Sequence, residues 1–118
     1  MKSGEIYQYK RTNFINKAKK YFEFLEKDFG FNTFIHLISK QPNEVIIKDE
    51  LVYENMLTNK KIKISNAYHP VDYGFEINII RNSDSQNEML FFLLKEEQDI
   101  EQEYLKEYAE KLRNYLSV

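Results

Sequence analysis

The sequence contains no cysteine and no tryptophan, and only three glycines, two prolines and two histidines among its 118 residues. Without cysteine, a disulfide scaffold, thiolate chemistry and cysteine-ligated metal are all excluded. Two histidines, His36 and His69, are too few for a histidine-rich metal centre. The isolated glycines form neither a G-x-G-x-x-G motif nor a P-loop. These absences argue against most catalysis, and we predict no catalytic residue, no metal and no cofactor.

Long apolar runs are also missing. The longest run, from Met89 to Leu94, has six residues, whereas about 20 are needed to span a bilayer. The N-terminal stretch contains no apolar segment of signal-peptide length. We therefore expect a cytoplasmic protein that makes no membrane contact. The fourteen lysines against three arginines, together with eleven asparagines, are typical of an AT-rich bacterial genome.

The charge is nearly balanced overall but unevenly distributed. The formal net charge is −2, which gives no general attraction to nucleic acid or membrane. Residues 1–30 carry seven basic and four acidic side chains, whereas residues 82–118 carry four basic and nine acidic ones. The C-terminal third is therefore the acidic end of the chain.

The sequence has enough apolar material for one core. It contains nine phenylalanines, nine tyrosines, twelve isoleucines and ten leucines, and its length is typical of one domain. We predict a single domain over residues 1–118, in which the polar residues 1–11 form a lead-in segment. Apolar residues spaced by three and four predict a helix over 13–29, and Gly30 suits the left-handed position that follows a helix.

The middle of the chain has the pattern of antiparallel strands. Asp49 breaks an alternation that begins at Val45, which predicts a bend or bulge near residues 48–50. Turns are predicted at 40–44, 58–60 and 68–72, and a polar loop at 82–87. The predicted strands are residues 33–39, 51–56, 61–67 and 73–81.

The C-terminal part predicts a second long helix. Periodicity does not separate a buried strand from a short buried helix at Met89–Leu94, and we favour the short helix. The last helix is predicted over about 100–117, with Asp99 as its N-cap and Gln102 completing a capping box. The order of elements predicts an α+β two-layer sandwich: an N-terminal helix, an antiparallel meander of three to five strands, and a C-terminal helix.

An acidic run precedes the last helix and is the first candidate site. It comprises Glu96, Glu97, Asp99, Glu101 and Glu103. Acidic residues at a helix start stabilise the helix dipole, and their spacing here matches no EF-hand. An acidic surface also attracts a basic partner and accelerates association. We take this run as the candidate partner-binding surface.

A second candidate site is the turn around Pro70. Tyr68, His69, Asp72 and Tyr73 could lie at the mouth of a pocket between helix and sheet, with His69 as a general base. No motif of nucleophilic catalysis accompanies them. We expect no nucleic-acid binding, because the lysines of the first helix and of the hairpin near residue 60 have the distribution of solvated faces.

Four segments of the sequence occur in an order that is found in other proteins. They are FLEKDFGF at 24–31, LVYEN at 51–55, YGFEINIIR at 73–81 and YLKEYAEKLRNYL at 104–116. This order resembles a loose group of small bacterial immunity-type proteins, in which a helix ends in an F-G-F corner and a meander precedes a C-terminal helix. The resemblance implies a non-catalytic protein that neutralises a toxin of its own or neighbouring cells. It carries no functional residue across.

The sequence leaves three hypotheses open. The first is a protein-binding module of the immunity type. The second is a small enzyme or ligand-binding protein that uses the pocket around Tyr68. The third is an architectural homodimer, in which an exposed edge strand at 33–39 pairs across a two-fold axis.

Overall fold

The computed structural model of the chain describes residues 3–68, 74–81 and 86–118. It shows an N-terminal helix, a five-stranded antiparallel sheet and a C-terminal helix, which confirms the predicted α+β class. The chain divides into two compact units. The helical unit contains residues 1–29 and 98–118, and the sheet unit contains residues 30–97.

The first helix, α1, spans Ser3–Tyr21, and a short helix, α2, spans Phe24–Phe29. The prediction of a lead-in segment over 1–11 is therefore wrong from Ser3 onwards. The buried side of α1 continues toward the N-terminus through half-buried residues. Some of them, such as Tyr7 and Lys10, are too polar to extend the apolar pattern that predicted the helix. The predicted single helix over 13–29 is also interrupted, because residues 22 and 23 form a turn.

The C-terminal helix, α3, spans Tyr104–Leu116 and starts four residues later than predicted. The N-cap is Glu103, so the prediction of Asp99 as the N-cap is wrong. Asp99 instead accepts hydrogen bonds from two backbone amides, at 2.8 Å from the nitrogen of Glu103 and 3.2 Å from that of Tyr104. The carboxylate caps the turn that leads into the helix. Gln102 is fully buried at a positive φ of 61° and donates to the Asp99 carbonyl, so it ends one turn rather than completing a capping box.

The five strands form a meander in which each strand pairs with the next. Asn55 stabilises the turn between the second and third strands, where its side-chain oxygen accepts hydrogen bonds from the amides of Leu57 and Thr58. Asn59 follows at a φ of 56°, as expected of an asparagine in a tight turn. The strands are β1 Thr33–Lys40, β2 Ile46–Asn55, β3 Lys60–Ala67, β4 Gly74–Arg81 and β5 Gln86–Leu94.

The register divides the sheet into two faces. Leu51, Ile64 and Ile77 are directly opposite one another and fully buried, and they define the apolar face. Val52, Lys63 and Asn78 form the neighbouring row and define the mixed face. Because successive side chains along a strand point to opposite faces, each of the remaining strand residues belongs to either the apolar face or the mixed face.

The predicted bend near residues 48–50 is wrong. Strand β2 runs without interruption, and its register with β1 and β3 is regular through Asp49. Asp49 lies on the apolar face beside Leu51 and is fully buried. The charged residue breaks the hydrophobic pattern without breaking the strand.

The predicted short helix at Met89–Leu94 is also wrong, because these residues belong to β5. The register with β4 shifts by one residue: Ile77 lies opposite Phe91, but Asn78 lies opposite Met89. Leu90 is therefore the extra residue of a β-bulge, which disturbs the alternation expected of a strand. A 3₁₀ turn, Lys95–Glu97, follows β5.

Candidate functional site

Strand β1 is one edge of the sheet: within the described ranges, it pairs with β2 alone. Four apolar side chains on this strand are between 36% and 55% exposed: Phe34, Ile35, Leu37 and Ile38. An edge strand presents a row of backbone amides and carbonyls to its surroundings, and proteins usually protect such an edge with charge, proline or a bulge.

The exposed apolar residues of β1 lie on both faces of the sheet. Phe34 and Ile38 belong to the apolar face, where Phe34 contacts the ring of Tyr53. Ile35 and Leu37 belong to the mixed face. Residues 33–39 of the strand contain no Lys, Arg, Asp or Glu, and the register with β2 shifts only after them, between Ser39 and Lys40. Strand β1 is therefore regular over residues 33–39, and four of these seven residues are apolar.

The opposite edge, β5, is built differently. It carries the bulge at Leu90 and a charged residue, Glu88, whose carboxylate lies 3.5 Å from the guanidinium of Arg81. The ring of Phe92 lies over Gly74, where an added Cβ would come within 3.1 Å of it. A bulge and a charge are two of the recognised means of protecting an edge.

A polar cluster fixes β1 to the rest of the sheet. The Asp49 carboxylate lies 2.9 Å from Nε2 of His36 on β1, and it accepts a hydrogen bond of 2.8 Å from the Tyr68 hydroxyl. The backbone nitrogen of Tyr68 donates to the carbonyl of Ile47, which extends the β2–β3 pairing by one residue. The cluster therefore connects β1, β2 and the end of β3.

Within the described residues, His36 is the most exposed member of this cluster. Asp49 is fully buried and Tyr68 is 4% exposed, whereas the side chain of His36 is 22% exposed. Burying a carboxylate is costly unless hydrogen bonds compensate for the lost water, and His36 and Tyr68 supply those bonds. We interpret the cluster as a structural clasp that sets the position of the edge strand.

The predicted acidic site is divided between the two units. Glu96 and Glu97 are exposed in the sheet unit, whereas Asp99, Glu101 and Glu103 belong to the helical unit. The Asp99 carboxylate caps the turn that leads into α3. The Glu103 carboxylate also has partners within its own unit.

Glu103 joins α3 to α1 within the helical unit. Its carboxylate lies 2.6 Å from Nζ of Lys17 and accepts a hydrogen bond of 3.1 Å from the hydroxyl of Tyr21. The Lys17 hydrogen bond, helped by that of Tyr21, lowers the pKa of Glu103, and the same contact raises the pKa of Lys17. The other three members of the run, Glu96, Glu97 and Glu101, are exposed, and within the described residues their carboxylates make no such contact with α1.

The predicted pocket around residue 70 is only partly described. Tyr68 belongs to the clasp with Asp49, whereas His69, Asp72 and Tyr73 lie outside the described residues. The structure therefore brings Tyr68 together with His36, through their shared partner Asp49.

A shallow surface cavity of about 160 Å³ lies in the helical unit. Its floor includes Phe24, over whose ring the guanidinium of Arg113 lies at 4.5 Å. Arg113 also forms an ion pair of 3.0 Å with Asp28. The lining residues are Tyr21, Phe24, Lys106, Ala109, Glu110 and Arg113.

The described part of the chain contains neither a metal-binding group of side chains nor a membrane-spanning helix. Over residues 3–68, 74–81 and 86–118, no three histidine, aspartate or glutamate side chains are grouped so as to hold a metal ion. None of the helices in these ranges has the length and hydropathy required to cross a bilayer.

Comparisons with protein-family models, with curated proteins and with solved structures find no match.

Sequence analysis did not single out the apolar residues of β1 as a site. It predicted the strand, and it raised edge pairing at 33–39 as one hypothesis. The available signal was the run FIHLI, which is apolar at four of five positions without alternation and contains no charge. A strand buried on one face alternates, so such a run indicates a strand with apolar side chains on both faces.

Proposed function

We propose that the chain is a non-catalytic protein-binding module whose contact surface is the β1 edge. The observation that supports this proposal is the exposure of Phe34, Ile35, Leu37 and Ile38 on a regular, uncharged edge strand. Solvent-exposed apolar residues scattered singly are ordinary on protein surfaces, but a contiguous group marks an interaction surface.

The mode of binding that fits this surface is strand addition. A partner strand laid against β1 forms main-chain hydrogen bonds with the edge, and the side chains on each face provide additional contacts. The clasp supports this mode because Asp49 anchors His36 in the middle of β1. A strand held in this way loses little conformational freedom on binding, which favours affinity.

The finer form of the proposal is an immunity protein that acts in the cytoplasm against a bacterial toxin. It derives from the resemblance of the segments around Phe29–Phe31, Leu51–Asn55 and the C-terminal helix to immunity-type proteins. The acidic run remains a second candidate surface for such a partner, because Glu96 and Glu97 are exposed.

The test is affinity capture with three matched variants. Ile35→Lys places a charge on the β1 edge. Met89→Lys does so on the β5 edge, in the same row of the mixed face; Ile35 is 55% exposed and Met89 53%. Glu96→Lys with Glu97→Lys reverses the exposed acidic residues. We expect a stoichiometric partner to be recovered by the wild type, by Met89→Lys and by the acidic-run variant, and to be lost with Ile35→Lys.

Two further results would redirect the proposal. Loss of the partner only in the acidic-run variant would move the contact surface to Glu96 and Glu97. Equal recovery by all variants would reject both surfaces. For the immunity function, the captured partner expressed alone should arrest growth, and co-expression with this chain should relieve the arrest; a harmless partner would reject that function.

A further inference from the structure

We infer that the β1 edge binds a second copy of this chain, so that two β1 strands pair antiparallel about a two-fold axis centred on His36. This inference rests on the proposed function and names a partner for the same edge. It joins two five-stranded sheets into one continuous sheet. Its basis is the order of residues along β1, considered together with the geometry of symmetric strand pairing.

Symmetry restricts the possible registers. Two identical strands that pair antiparallel in one sheet are related by an axis perpendicular to that sheet, and such an axis keeps each face on its own side. Residues directly opposite each other also place their side chains on the same face. The axis must therefore lie at the level of a residue that faces its own copy.

One register matches all the exposed apolar residues. With His36 opposite His36 of the second copy, Phe34 lies opposite Ile38 on the apolar face, and Ile35 lies opposite Leu37 on the mixed face. Each pair occurs twice because of the symmetry. All four exposed side chains of β1 thus meet an apolar residue, and aromatic–aliphatic and aliphatic pairs of this kind stabilise antiparallel sheets.

The neighbouring registers are much poorer. Centring the axis on Leu37 places Ile35 opposite Ser39, Phe34 opposite Lys40 and Ile38 opposite His36. Centring it on Ile35 likewise leaves three of the four apolar residues opposite polar ones. The order FIHLI is symmetric in hydrophobicity about His36 and about no other residue of the strand.

Charge and anchoring agree with the His36-centred register. Lys40 lies opposite Asn32 there, so the lysine of one strand does not face the lysine of the other. Nε2 of His36 is already committed to Asp49 on β2, which draws the ring toward its own sheet. The two histidines therefore meet on either side of the axis while each is held by its own chain.

The first experiment measures the mass of the intact chain by sedimentation at about 5 and about 200 μM, a range that resolves a micromolar dissociation constant. We expect dimer to increase with concentration for the wild type and for Met89→Lys, and Ile35→Lys to remain monomeric. A monomeric wild type at the higher concentration would overturn the inference. A dimer that persists in Ile35→Lys would also overturn it, because another surface would be responsible.

The second experiment tests the register by charge complementation. Ile35→Glu and Leu37→Lys are each expected to be monomeric, since each places two charges opposite apolar residues. When the two variants are mixed, the His36-centred register sets the introduced carboxylate of one chain opposite the introduced ammonium group of the other, and it restores one Ile35–Leu37 pair. We expect the mixed dimer to be about tenfold tighter than either homodimer, and this gain to shrink at high salt.

The outcomes separate this inference from the proposed function. Failure of the mixture to associate would overturn the His36-centred register, because neither neighbouring register opposes residues 35 and 37. A monomeric wild type that still loses its captured partner on Ile35→Lys would overturn only the self-pairing. A monomeric wild type whose partner is retained by Ile35→Lys would overturn both. Circular dichroism of each variant checks that these exposed substitutions leave the fold intact.

Discussion

The two edge strands of the sheet differ in how they are protected against pairing with another strand. Strand β5 carries a bulge at Leu90 and a charged residue, Glu88, whereas β1 is regular and uncharged over residues 33–39. Both strands expose apolar side chains, and Ile35 and Met89 are exposed to nearly the same extent. Exposure alone therefore does not distinguish the edges; regularity and charge do.

This difference indicates which edge can accept another strand. A bulge disturbs the row of backbone groups that a new strand would bind, and a charge would lose water on pairing. Strand β1 has neither along its central residues, and its position is fixed by the hydrogen bond between His36 and the buried Asp49. On this comparison we propose β1 as the contact surface, whereas β5 has the features of a protected edge.

The largest expected effect is on the attachment of β5. Gly74 has a φ of 144°, and a Cβ there would come within 2.7 Å of the Leu93 carbonyl oxygen. Gly74→Ala should lower the free energy of unfolding by about 3 kcal/mol, through backbone strain and overpacking. Urea unfolding measures this loss.

Gly4 in α1 provides the control, because an added Cβ there meets nothing within 4 Å. Gly4→Ala should leave stability unchanged or raise it by up to about 1 kcal/mol, since alanine favours helix. An equal loss in both variants would show that the close approach at Gly74 has no special role.

The next effect concerns the anchor of β1. Asp49→Leu removes the acceptor used by the Tyr68 hydroxyl and by His36, which should cost about 2 kcal/mol of unfolding free energy. Asp49→Asn keeps the shape and one oxygen acceptor, so it should cost only about half as much. Urea unfolding of the two variants gives the comparison, and a leucine variant as stable as the wild type would contradict the clasp.

A smaller effect separates the two edges in the folded protein. Self-pairing stabilises by mass action, so the melting temperature of the wild type should rise by about 3 °C for each tenfold increase in concentration. Met89→Lys should show the same dependence, whereas Ile35→Lys should melt at one temperature throughout. Scanning calorimetry at a series of concentrations measures these melting temperatures. An equal concentration dependence in the two variants would contradict self-pairing through β1.

The smallest effect lies outside the sheet, in the exposed ion pair of the helical unit. The pKa of Glu103 is lowered by Lys17, so the ionised carboxylate favours folding. This stabilisation is present above the ordinary glutamate pKa of 4.5 and disappears as the pH falls through the lowered value. Glu103→Gln should therefore melt slightly below the wild type at pH 7, and this difference should shrink as the pH falls below 4.5.

Glu107 on the same helix is exposed and serves as the matched control. Glu107→Gln should show a smaller difference from the wild type at pH 7. A difference for Glu103→Gln that grows on acidification would reverse the sign of the effect and contradict the ion pair.

The parts of the fold that local patterns determine were predictable. Strand β1 was found within one residue, and the alternation of Phe75, Ile77 and Ile79 identified β4 and its buried side. Gly30 was assigned the left-handed position, and its φ is 76°. Each of these features follows from residues close together in sequence.

The wrong predictions occurred where contacts between residues distant in sequence determine the local structure. Asp49 suggested a bend because its partners, His36 and Tyr68, are 13 and 19 residues away. The bulge at Leu90 removed the alternation that identifies a strand, so the run from Met89 to Leu94 resembled a buried helix. Of the two candidate sites, the acidic run proved to be split between units. Pairing of an edge strand at 33–39 was one of the hypotheses raised by the sequence, but the exposure of its four apolar side chains became known only from the structure.

Hydrogen–deuterium exchange of the intact chain at about 5 and about 200 μM tests the central claim most directly, because it compares both edges in one sample. The account predicts that peptides covering residues 33–39 exchange more slowly at the higher concentration, while those covering β5 do not change. Exchange of β1 that is independent of concentration, or slowing of equal size in β5, would contradict it.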